Sequence, residues 1–163
     1  MDGEELFRAA VESVQEMVLK IGGSGGSVVL YYPFDGDFAG VEDGFREASE
    51  SFHMSLEPKL GRLMVTVPAE DCERIARMPV RETLRDVVEL SRSSQSVSEF
   101  RQSVLSKYPC ARFGDTGDGE FDMALCFPED QDPNVYCVSE EAGRVIFHRF
   151  SRSDYLAFGF RLP

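Results

Sequence analysis

The sequence predicts an α+β fold, an antiparallel sheet with helices mainly on one face. Three observations lead there. Apolar residues recur at helical spacing over residues 4–21 and 97–108, and strand-length apolar runs follow each of these stretches. Pro and Gly punctuate those runs at short intervals, as hairpins require. The chain is 42% hydrophobic with thirteen Phe in 163 residues, enough for a packed core in a single domain spanning 1–163.

Residues 4–21 form the first expected helix, with Leu6, Phe7, Ala10, Val11, Val14, Met17, Val18 and Ile21 on one side. Asp2 and Glu5 have the spacing of a capping box. The Gly-rich stretch 22–27 ends that helix, and Val28 to Tyr32 reads as a buried strand stopped by Pro33. An acidic turn follows at Phe34–Gly40, then a short helix over 42–51. His53–Leu56 and Arg62–Val67 are expected to pair as a hairpin across Glu57-Pro58-Lys59-Leu60-Gly61. Pro68 opens a helical segment that Pro79 interrupts. Ser96 and Glu99 cap a further helix, ended by Pro109. A loose Gly- and Asp-rich stretch at 114–120 precedes four expected strands, 121–127, 135–139, 144–150 and 155–162. The last shows the clearest alternation in the chain.

The chain also echoes itself. Leu30-Tyr31-Tyr32-Pro33-Phe34-Asp35-Gly36-Asp37 and Leu125-Cys126-Phe127-Pro128-Glu129-Asp130-Gln131-Asp132 share Leu-x-aromatic-Pro-x-Asp-x-Asp. Gly61-Arg62-Leu63 matches Gly143-Arg144-Val145. Two α-β-β-β half-repeats, 1–67 and 97–163 joined by a helical segment at 68–95, would explain both, and their strands could then share one sheet.

Charge narrows the function classes. The net charge is −12, which opposes a nucleic-acid footprint because phosphates need cationic surface. No apolar run approaches a membrane span, and the acidic N-terminus Met1-Asp2-Gly3-Glu4-Glu5 is unlike a secretory signal. Cys72, Cys110, Cys126 and Cys137 show no CxxC spacing and read as buried thiols of a reducing compartment. A cytoplasmic protein is expected. The acids gather at the two ends, −8 over residues 1–60 and −5 over 110–163, around a middle of +1.

Asp35 and Asp37, with Asp130 and Asp132 from the echoed loop, are the candidate ligands for a hard cation such as Ca²⁺ or Mg²⁺. The first loop is not an EF-hand: Ala39 and Arg46 stand where ligands belong. The glycines at 22–26 follow a helix and open a strand, the reverse of a phosphate-binding loop. His53 and His148 are the only imidazoles, no nucleophile elbow accompanies them, and alternation puts His148 opposite Phe147. Both read as structural or surface residues. Arg74, Arg77, Arg81 and Arg85 recur at helical spacing across Pro79 and could dock an acidic partner.

The order of helices and strands, the small size and the acidity resemble small acidic secretion chaperones in architecture alone, since this chain is expected to close in strands. With no catalytic constellation, the leading expectation is a non-enzymatic interaction, adaptor or chaperone-like domain that binds a protein partner or itself as a homodimer. A metal-dependent enzyme or metal-regulated domain using the acidic loops is the second. A small-molecule sensor is the third.

Overall fold

The computed structural model describes residues 1–23 and 25–163. Ser24, inside the expected Gly-rich turn, lies outside the described residues. The fold is α+β, with six helices and two antiparallel sheets among the described residues, and it divides into two compact units, Met1–Val80 and Arg81–Pro163.

In the first unit, α1 (Gly3–Ile21) is capped by Asp2, whose Oδ1 accepts from Glu5 N at 2.8 Å, and ends on left-handed Gly22. Strand β1 (Val28–Pro33) follows, then α2 (Phe38–Ala48). Helix α2 begins four residues before the expected 42–51 because Asp37 caps it, accepting from Ala39 N. Strands β2 (Ser55–Lys59) and β3 (Arg62–Val67) make the hairpin, and α3 (Ala69–Ala76) leaves it. The five-residue connection expected between β2 and β3 is corrected to two residues. Leu60 and Gly61, with φ of 49° and 78°, form a tight primed turn that lets Glu57, Pro58 and Lys59 extend the strand.

The sheet order is β1-β3-β2. Central β3 buries Leu63, Val65 and Val67 completely, against Leu6, Ala10 and Val14 of α1, Phe45 of α2 and Ile75 of α3. Helices α1 and α2 touch closely at Gly3 and Gly44: a Cβ on Gly3 would lie 2.2 Å from the Phe45 backbone nitrogen, and one on Gly44 would lie 3.3 Å from Gly3 Cα.

The second unit opens with α4 (Glu82–Ser93) and α5 (Val97–Lys107), the latter capped as expected by Ser96, whose Oγ accepts from Glu99 N. Strands β4 (Arg112–Gly114), β5 (Met123–Cys126), β6 (Asn134–Glu141) and β7 (Arg144–Ser151) form a meander in that order. Strand β4, three residues long, is not among the strands expected from the sequence. The strand expected at 155–162 is corrected to a helix, α6 (Arg152–Ala157), followed by a non-regular tail. Ser151 starts α6 by accepting from Asp154 N, and Gly159 at φ 82° prevents an extended run. The helix and the tail instead bring Tyr155 and Phe160, which a strand would place on opposite faces, against the face formed by Ala124, Cys126, Val135 and Cys137. His148 sits on this same face, opposite Phe147, exposed and against the Phe121 ring.

The strands do not share one sheet: β1 returns to β3, and the later strands pair with their own chain neighbours. The echoed hairpin turns do correspond, because Ala142-Gly143 has the same pair of positive φ angles as Leu60-Gly61. The strands beside them differ, since β1 pairs with β3 while β5 pairs with β6.

No helix among the described residues is long and apolar enough to cross a membrane.

Candidate functional site

The four aspartates singled out as cation ligands have separate local roles. Asp35 is exposed on the loop after β1, and Asp37 is the α2 cap. Asp130 is exposed, two residues before fully buried Asp132. Asp132 is saturated with donors: the Thr83 hydroxyl at 2.7 Å, the Tyr136 hydroxyl at 2.6 Å, and the backbone and side-chain nitrogens of Asn134 at 2.9 and 3.0 Å. It ties the start of α4 to β6. Asp35 and Asp37 belong to the first unit, Asp130 and Asp132 to the second.

The four arginines also divide between the units. Arg74, on α3, donates to Ser51 O and lies 4.2 Å over the Phe52 ring, and Arg77 is the exposed residue that ends α3. Arg81 precedes α4 and donates to Gln131 O at 3.0 Å, and Arg85 is exposed on α4.

Two features of the first unit were not anticipated. One is the contrast between its sheet edges. Edge strand β2 carries Glu57, Pro58 and Lys59, residues that discourage further pairing. Edge strand β1 reads Val-Val-Leu-Tyr-Tyr-Pro, uncharged throughout. Its core-facing Val28, Leu30 and Tyr32 remain only half-buried, and Tyr32 reaches α1 through a 2.8 Å hydrogen bond to Ser13. Its outward Val29 and Tyr31 are each 47% exposed, with the Arg62 guanidinium 4.8 Å from the Tyr31 ring.

The other is a cluster of His53, Glu70 and Asp71. Among the described residues, this is where three potential metal-ligating side chains converge, with ligand atoms within 4.8 Å of one another. His53 Nδ1 is 2.9 Å from Glu70 Oε1 and 3.8 Å from Asp71 Oδ1. Asp71 is completely buried in the first turn of α3; its Oδ2 accepts from His53 N at 2.7 Å, while its Oδ1 has no hydrogen-bond partner. None of the four predicted aspartates belongs to this cluster. The signal that could have found it is the register of the hairpin: Ser55 opposes Thr66, so the residues just before β2 must lie beside those just after β3.

Three of the four thiols, Cys72, Cys126 and Cys137, are buried as expected, and the expectation for Cys110 is corrected, since it is exposed; all are unpaired. Burial pushes the Cys137 thiol up to about 12, far from the thiolate a nucleophile needs.

The family model "Domain of unknown function, E. rectale Gene description (DUF3877)" matches residues 3–159, and the chain belongs to that family. No curated protein and no solved structure matches the chain.

Proposed function

We propose that this DUF3877 member is a non-enzymatic protein-interaction domain that accepts an extended partner segment along β1. The observation behind this reading is the contrast between the two edges: β2 carries charges and a proline, and β1 carries neither charge nor an interior proline. A partner strand laid against β1 gains backbone hydrogen bonds, and its alternate apolar side chains extend the surface of Val29 and Tyr31. Asp35 and Asp37 follow the end of β1, and residues 1–60 carry a charge of −8, so the fitting segment is apolar with a basic residue at the end beside those acids.

The test is selection of peptides from a random library on the full chain, followed by amide hydrogen exchange with the selected peptide bound. Protection should rise in 28–33, and the Val29→Lys, Tyr31→Lys double variant should abolish binding. Protection elsewhere, or binding that survives the double variant, refutes the reading. A dimer dissolved by the same variant would identify a second copy as the occupant.

A further inference from the structure

We infer that His53, Glu70 and Asp71 form a site for one divalent first-row transition ion of the zinc type, a function separate from pairing at β1. The donor set is one imidazole nitrogen and two carboxylates. Imidazole with carboxylate suits Zn²⁺, Mn²⁺ or Fe²⁺, whereas Ca²⁺ and Mg²⁺ favour oxygen alone.

The spacing agrees. An ion about 2.1 Å from each ligand needs ligand atoms roughly 3.0 Å apart in octahedral and roughly 3.4 Å apart in tetrahedral geometry. The observed separations from His53 Nδ1, 2.9 and 3.8 Å, bracket both values. Closing the longer one takes a few tenths of an ångström (~0.4 Å), within reach of the exposed His53 side chain.

An independent observation comes from Asp71. A completely buried carboxylate normally has both oxygens satisfied, because a bare one loses its hydration without compensation. Here Oδ2 is held by His53 N, and Oδ1 faces His53 Nδ1 with no donor of its own. Arg74 does not supply one. Its Nη1 is 4.0 Å from Oδ1, and the guanidinium is engaged by Ser51 O and the Phe52 ring. A cation between the three side chains would satisfy that oxygen. It would also fasten the residues before β2 to the start of α3. The His53 and Glu70 side chains are 72% and 66% exposed, so the remaining coordination positions open to water.

The experiment is calorimetric titration of the full chain with ZnCl₂ and MnCl₂ after chelator treatment. A Cys110→Ser background removes the exposed thiol as a competing ligand. One equivalent should bind, at least about tenfold more weakly in His53→Ala and in Glu70→Gln, because even residues that only support ligands cost that much. Both side chains are largely exposed, so these variants should keep the fold, as circular dichroism would verify. Co²⁺ should give visible d–d bands that His53→Ala removes. Absence of saturable binding, or affinity unchanged by both substitutions, overturns the site and leaves a polar contact between His53 and Glu70. Metal binding should persist in the Val29→Lys, Tyr31→Lys variant, which separates this test from the one above.

Discussion

Replacing Asp132 by Ala should destabilise the second unit by about 3–5 kcal/mol. The magnitude follows from its partners. Substitution deprives the Thr83 and Tyr136 hydroxyls and both Asn134 nitrogens of their acceptor, all at 2.6–3.0 Å. Thr83, Tyr136 and Asn134 are themselves buried, so water does not replace the carboxylate. Losing each of these buried bonds costs about 1–3 kcal/mol, and the four sites relax together, which keeps the total below their sum. Asp132→Asn keeps the shape but turns an NH₂ toward donors, and about 2 kcal/mol is expected. Asp130→Ala, on an exposed side chain, should cost less than about 0.5 kcal/mol. Urea unfolding followed by circular dichroism reads these differences; with a slope near 2 kcal/mol/M, Asp132→Ala should lower the midpoint by about 2 M. If Asp132→Ala stays within about 1 kcal/mol of the parent, or Asp130→Ala costs as much, the structural assignment of Asp132 fails.

Two more predictions concern a turn and the buried acids of the second unit. Leu60 is 93% exposed and held at φ 49°, so Leu60→Asn relieves a left-handed conformation at no cost in burial; a gain of about 1 kcal/mol and about 2–4 °C in Tm is expected, and a lower Tm would refute it. Burial raises Cys137 from 9.0 to about 12 and Tyr155 from 10.0 to about 12. Above pH 9 the unfolded chain therefore releases protons that the folded chain retains, and stability falls as pH rises towards 12, by up to about 1.4 kcal/mol per pH unit for Cys137. Urea midpoints from pH 8 to 11 should show this decline, with a shallower slope in Cys137→Ala; equal slopes would contradict it.

What the sequence made legible was local. The caps at Asp2 and Ser96 and the break at Pro79 depend on chain neighbours, and they appear where expected. The C-terminal stretch misled because alternation also arises when a short helix and a tail bury some aromatics and expose others. Phe158 remains 51% exposed while Tyr155 is fully buried. Asp132 looked like a ligand because acidity in a loop does not reveal burial, and its donors Thr83 and Tyr136 approach from a helix and a strand. His53 carries no local signal because its partners Glu70 and Asp71 are seventeen and eighteen residues away, a proximity created only by the hairpin register. The uncharged composition of β1 was visible, but its position at an edge follows from pairing order rather than from composition.

That pairing order also bears on how the first unit assembles. β2 and β3 are joined by a two-residue turn and can close early, whereas β1 meets β3 only after α2 and the whole of β2 have been threaded between them. The second unit's sheet is a meander of sequence neighbours and has no such delay. During folding, the long edge of β3 therefore stands open until β1 arrives, and during synthesis β1 emerges well before its partner does. Docking of β1 is expected to be the slow step of the first unit, and its release the first step of local opening.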